Sequence, residues 1–139
     1  MPSARSRARE LVLHALYAYV SAGSEPGENF EHIADVEDHP SRSAVKYARD
    51  LYAQTREHLE WADETITSLA HNWRLERIAT IDRNILRLAL VELKYMVDVP
   101  VKVVMNEAIE LAKKYSTPQS SGFINGILDS FVNKTGAEG

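Results

Sequence analysis

The sequence predicts an all-α fold of about seven helices with no sheet, and three observations carry that prediction. Apolar residues recur at i, i+3, i+4 and i+7 through most of the chain, the spacing of one buried helix face. Strand-like alternation is missing throughout. Proline and glycine fall between the periodic segments, where they punctuate helices instead of interrupting them. Short connections between successive helices favour antiparallel neighbours and therefore a bundle.

The first helix is read at residues 8–19, where Ala8, Leu11, Val12, Ala15, Leu16 and Tyr19 share a face. Gly23, Pro26 and Gly27 end it in the clearest loop of the chain. A short, weakly patterned segment around residues 30–36 is read as a helix of two or three turns, closed by His39 and Pro40. Ser41 or Ser43 is suited to cap the next helix, which carries Ala44, Val45, Ala48, Leu51 and Tyr52. Another is expected over about residues 59–70, with Leu59, Ala62, Ile66 and Leu69 inward. The most apolar stretch, "IATIDRNILRLALVELKYMV", is hydrophobic almost all round and is placed at the centre. One of its inward positions is Glu92, a carboxylate that burial would penalise unless an arginine or the amides opening a neighbouring helix received it. After Asp98 and Pro100, residues 101–115 turn Val101, Val104, Met105, Ala108, Ala112 and Tyr115 inward. The last helix starts at Thr117 before Pro118, or at Ser120 or Ser121.

Composition narrows the functional classes. The 139 residues fit one domain, 45% hydrophobic and 26% charged, as in ordinary soluble globular proteins. There is no cysteine, which excludes disulfides, thiolate metal sites and thiol catalysis. No apolar run reaches the roughly 20 residues that span a bilayer. The basic start followed by apolar residues is interrupted by His14 and tyrosines and lacks a clean small-residue cleavage site, so no signal peptide and no membrane partner are expected. The expected compartment is the cytoplasm. The five histidines, His14, His32, His39, His58 and His71, lack the spacing of helical metal sites. Glycine-rich phosphate loops and a nucleophile elbow are missing as well. The chain is accordingly expected to be no enzyme, with no catalytic residue, metal or cofactor.

Charge is unevenly distributed. The net charge is −4, yet Arg5, Arg7 and Arg9 crowd the first turns, whereas residues 21–40 hold six carboxylates and neither lysine nor arginine. Each charge acts over only about 10 Å at moderate salt, so a basic arm can hold phosphates on an acidic protein. Such an arm is otherwise a solvated terminus. Tyr17, off the core face of the same helix, adds a flat ring to the cations, the mixture that unpaired RNA requires. In the last helix Ile124, Ile127, Leu128 and Phe131 make the buried stripe, whereas Phe123 lies roughly 90° from its centre beside Gly126. Phe123 is either a residue at the rim of the core or a platform for a base.

The stretches "ARELVLHALYAYV", "WRLERIATIDRNILRLALVELKYMVDVPVKVVMNEAIELAKKYS" and "GFINGILD" resemble, in order, the NusB family of bacterial transcription antitermination factors. The run Asp98, Pro100, Asn106, Glu107, Ala108, Leu111, Ala112, Lys113, then Phe123, Asn125, Gly126 and Leu128 gives the likeness its specificity. It implies two three-helix-bundle subdomains, at about residues 1–58 and 59–139, the second extended by one helix. It also implies binding of boxA-type single-stranded RNA together with the ribosomal protein NusE, within the antitermination complex on RNA polymerase. By motif position, the implied RNA contacts are Arg5, Arg7, Arg9 and Tyr17 near the start and Gln119, Ser120 and Phe123 near the end. The implied NusE surface is Glu76, Arg77 and Asp82, acidic groups there suiting a basic partner. Gly122, where many relatives carry lysine, and Ser6, within an often continuous arginine block, depart from the family pattern. Val91, replacing a frequent aromatic, bears on packing alone. Two other readings stay open: an accessory domain of an RNA methyltransferase, although no Rossmann-like catalytic domain is expected within these 139 residues, and a helical adapter that binds only protein. Monomer and homodimer are equally compatible with the sequence.

Overall fold

A computed structural model describes residues 3–23, 25, 40–71 and 74–135. Among these residues lie six α-helices and no strand: α1 (Ala4–Ala22), α2 (Arg42–Glu57), α3 (Leu59–Leu69), α4 (Thr80–Tyr95), α5 (Val101–Tyr115) and α6 (Pro118–Thr135). A 3-10 turn, Leu75–Arg77, precedes α4. The helix expected around residues 30–36 lies outside the described residues.

The helix ends follow from local chemistry. Ser3 caps α1 by accepting a hydrogen bond from the Ser6 amide, which starts the helix four residues before its apolar face does. Gly23 ends it in the left-handed region, at φ 70°, with its N–H donating to the Ala18 and Tyr19 carbonyls. Ser41, not Ser43, caps α2 through the Ala44 amide. Pro118 opens α6 as its first residue, where a missing N–H costs nothing. Between α2 and α3 there is only His58, whose ring stacks on Tyr95 at 3.8 Å.

As its composition requires, α4 is central: Asp82 and every residue from Asn84 to Leu93 are buried. It packs against each of the other five helices, and one buried cluster draws on all six. Trp61 of α3 lies edge-on to Tyr95 and Phe131, closing the cluster at one end. Three of the polar residues buried in α4, Asp82, Arg87 and Glu92, bond to other elements. Arg87 donates to both Asp63 oxygens of α3, at 2.6 and 3.0 Å, and to Asn84.

Glu92 receives an arginine, and that arginine is Arg9. Its Nε donates to both Glu92 oxygens at 2.9 and 3.1 Å and its Nη2 to Oε2 at 2.6 Å, while the Tyr47 hydroxyl of α2 donates to the same oxygen at 2.6 Å. Glu107 of α5 lies 3.4 Å from the other guanidinium nitrogen. Arg9 is 2% exposed and Glu92 1%. Burial works against the Arg9 charge, but the hydrogen bonds and charge of Glu92 outweigh it and hold the guanidinium pKa above its ordinary value. Burial, together with the same carboxylate, pushes the Tyr47 hydroxyl pKa upward.

A second polar junction joins α1 to the end of α5. Glu10 accepts from the Lys114 ammonium, the Tyr115 hydroxyl at 2.9 Å and Arg7 at 3.2 Å. His14 sits edge-on to the Tyr115 ring, 3.4 Å from its hydroxyl. Burial lowers the His14 pKa below its ordinary 6.5, with Arg7 and Lys114 adding to the effect against Glu10. Burial alone would raise the Glu10 carboxyl, but the bonds from Lys114 and Tyr115 bring it below its ordinary 4.5.

Two predictions follow from these junctions. Replacing Arg9 by Met strands Glu92 in the core and should destabilise the fold by about 3–5 kcal/mol, whereas the R9M/E92L double variant should recover most of that loss. Urea unfolding of the three proteins checks this, and a double variant as unstable as the single one would refute it. For pH, the unfolded chain binds a proton at His14 more readily than the folded one. Stability is therefore full above pH 6.5 and falls as pH drops from there through the lowered His14 value. Glu10 acts in the same direction below pH 4.5. A His14→Gln variant should lose the upper part of this acid slope and keep the lower, as read from urea midpoints against pH.

Candidate nucleic-acid and partner interface

The expected site residues separate into two groups in space, divided differently from the sequence reading. Arg77 and Asp82 from the expected partner surface line one cavity of about 250 Å³ together with Gln119, Ser120 and Phe123 from the expected RNA surface; Ile78 and Ala79 complete the wall. The start of α4 is here set against the start of α6. Glu76 is exposed beside Arg77 in the 3-10 turn.

Asp82 builds this junction. It stands in the first turn of α4, where the helix dipole favours an anion. One oxygen accepts from the Ser116 hydroxyl at 2.7 Å and the other from Ser120 at 2.8 Å, which draws the end of α5 and the first turn of α6 onto α4. Ser120 also shares hydrogen bonds with the Ser116 and Thr117 hydroxyls at 2.9 Å. Two expectations are thereby corrected. Asp82 is a buried organising carboxylate at the cavity wall and not an exposed acid awaiting a basic partner. Ser120 is buried with its hydroxyl committed to Asp82 and is not placed to grip a strand.

Phe123 is half-buried: it packs against the core and turns part of its ring toward the cavity, so both of its sequence readings describe one side of it. Gln119 is exposed one turn earlier. At Gly122 and Gly126 an added Cβ would meet nothing within 4 Å, so neither internal packing nor a special backbone conformation demands glycine. Each glycine weakens a helix by about 1 kcal/mol relative to alanine, and the bare surface they leave flanks Phe123.

The arginines at the start diverge. Arg5 alone faces outward, its guanidinium 4.6 Å from the centre of the Tyr47 ring and 3.8 Å from Asp98. Arg7 is buried and donates to Glu10, and Arg9 is the internal partner of Glu92. Their expected placement as an exposed phosphate-binding arm is corrected accordingly. The sequence contained the signal for Arg9: with Val12 and Leu16 it falls at i, i+3, i+7, on the edge of the apolar face. Tyr17 is 51% exposed, as its position off that face implies. It lies one turn beyond His14, which touches Tyr115; Ser116 follows and donates to Asp82. The end of α5 therefore bridges the Tyr17 flank of α1 and the Phe123 cavity.

The family model described as the NusB family matches residues 6–133. The transcription antitermination protein NusB of Myxococcus xanthus is 42% identical over 129 residues, covering 91% of this chain and 92% of that protein. Its counterpart in Anaeromyxobacter dehalogenans is 43% identical over 133 residues, covering 96% and 93%. T. maritima NusB superposes with a TM-score of 0.83 at 35% identity, over 96% of this chain and 94% of that one. A chain from the crystal structure of the antitermination factors NusB and NusE in complex with dsRNA is similar at a TM-score of 0.83 and 27% identity, over 96% and 99%. Matched by the family model over residues 6–133 and similar to these proteins over more than nine tenths of its length, the chain belongs to the NusB family of transcription antitermination proteins.

Proposed function

We propose that this protein is a non-catalytic, cytoplasmic antitermination factor that binds boxA-type single-stranded RNA together with NusE. The observation that carries the reading is the Phe123 cavity. A ring partly turned to solvent, a bare helix surface at Gly122 and Gly126, the exposed amide of Gln119 and the guanidinium of Arg77 meet at one junction. A base stacks on an aromatic face irrespective of its identity, while an amide and a guanidinium can take its edge and its phosphate. Tyr17 provides a second exposed ring along the α5 bridge.

The NusE surface fits the adjoining 3-10 turn, where Glu76 and Arg77 are exposed next to the cavity. A structure with NusB and NusE in complex with dsRNA contains a chain of this fold, which supports placing a protein and a nucleic acid on the same molecule. Among the described residues no helix is long and apolar enough to cross a membrane.

Phe123→Ala should weaken binding of a boxA-type RNA by about 1–3 kcal/mol through lost stacking, with a melting temperature only slightly lowered. Isothermal titration and thermal unfolding on the same preparations distinguish the two roles. A large fall in melting temperature with unchanged RNA affinity would make Phe123 a packing residue and remove the main support for the reading. Glu76→Lys should weaken NusE binding and leave affinity for RNA alone unchanged; equal NusE affinity in the variant would move the partner surface elsewhere.

A further inference from the structure

We propose that the exposed face of α2, with Arg5, forms a second track for the phosphate backbone, holding unpaired RNA that flanks the segment bound at Phe123. This rests on the RNA-binding reading above and extends it to a surface on the other flank of α1. With Arg7 and Arg9 turned inward, the exposed cations on this flank are Arg5 and those of α2.

Arg42, Lys46 and Arg49 recur at i, i+4 and i+7 and so share a helix face. They line a groove with Pro40, Val45 and Asp50. Lys46 and Asp50 also line the adjoining groove that reaches Arg5, Tyr47 and Asp98. The two grooves make one band from Arg49 to Arg5 that, among the described residues, is lined by four cations and the two carboxylates Asp50 and Asp98, on a chain of net charge −4. At 1.5 Å rise per residue, Arg42 and Lys46 stand about 6 Å apart along the helix axis, a separation suited to successive phosphates of an extended strand.

The fold itself gains little from the charges of Lys46 and Arg42. Lys46 is 80% exposed and its pair with the exposed Asp50, at 3.4 Å, is of the weak, salt-screened kind. Arg42 is the first residue of α2, whose first turn holds no acid, so its charge opposes the helix dipole. The apolar side chains along the band, Val45, Tyr47 and Met96, are half-buried against the core, and among the described residues the large exposed hydrophobics Tyr17, Val20, Val97 and Val103 line neither groove. A lipid surface requires an apolar face to insert, and a stable protein interface a buried aromatic or aliphatic centre. A phosphate backbone requires neither, and its affinity comes from neutralised charge.

The test compares a short boxA-type RNA with the same RNA carrying an unstructured flank at either end, for the wild-type protein and R42Q/K46Q. The wild type should bind one of the flanked RNAs several-fold more tightly than the short one. The variant should lose that gain, match the wild type on the short RNA and melt at the same temperature. For the flanked RNA, the slope of log affinity against log salt should be shallower in the variant by about 1.4, the value for two phosphates on a single strand. An unchanged gain and slope in the variant overturn the proposal while leaving the Phe123 site intact. So does wild-type binding of polyglutamate that R42Q/K46Q abolishes while the RNA gain persists, since the band would then be a surface for acidic protein. Failure of the wild type to bind the short RNA with NusE present overturns the function proposed above, and this extension with it.

Discussion

The architecture depends on one ion pair sealed from water. Arg9 and Glu92 lose their hydration on folding, and the Coulomb energy of such a pair roughly offsets that loss, so its main effect is on geometry more than on net stability. A guanidinium with three short hydrogen bonds to one carboxylate fixes the rotation of α1 about its own axis against α4. Tyr47 and Glu107 attach α2 and α5 to the same two charges. An apolar contact in that place would tolerate a few degrees of roll or a short slide; a two-pronged bond does not.

What α1 presents to solvent follows from that registration. Tyr17 is eight residues beyond Arg9, roughly 80° round the helix, and is carried onto the flank facing the end of α5. Arg5 is one turn before Arg9 and comes to rest over Tyr47, whose hydroxyl already belongs to Glu92. The two flanks of α1 therefore carry different chemistry, a ring on one side and a cation on the other, and a single internal bond sets both orientations. Arginine serves in one place as core and in another as surface, four residues apart.

The same bond explains what the sequence disclosed and what it withheld. Helix periodicity located the six helices of the described residues to within a few residues and made α4 central, because hydrophobic spacing is a local property and α4 is apolar on nearly every side. The need for a cation near Glu92 was also legible, since a buried carboxylate cannot remain alone. Which cation was not, because Arg9 looks like one member of an exposed basic arm until its spacing with Val12 and Leu16 is weighed. Asp82 and Ser120 were misplaced for a related reason. They are 38 residues apart, and a polar pair joining two helix starts leaves no trace in the periodicity of either. Phe123 was legible as an exception to its stripe, but only the junction around it showed how far the ring remains in the core.

Placing Asp82 under both surfaces has a consequence for how they work together. Its two oxygens hold Ser116 and Ser120, so the first turn of α6, with Gln119 and Phe123, is fixed to the same turn of α4 that follows Arg77. Under the proposed function, a protein docked on Glu76 and Arg77 and a strand docked on Phe123 rest on opposite rims of one carboxylate junction. A ligand that shifts either helix start therefore acts on the other rim through the shared carboxylate. The resulting coupling is reciprocal by linkage: NusE strengthens RNA binding by the factor by which RNA strengthens NusE binding. Neither ligand needs to touch the other, because the shared element is the hydrogen-bonded start of two helices.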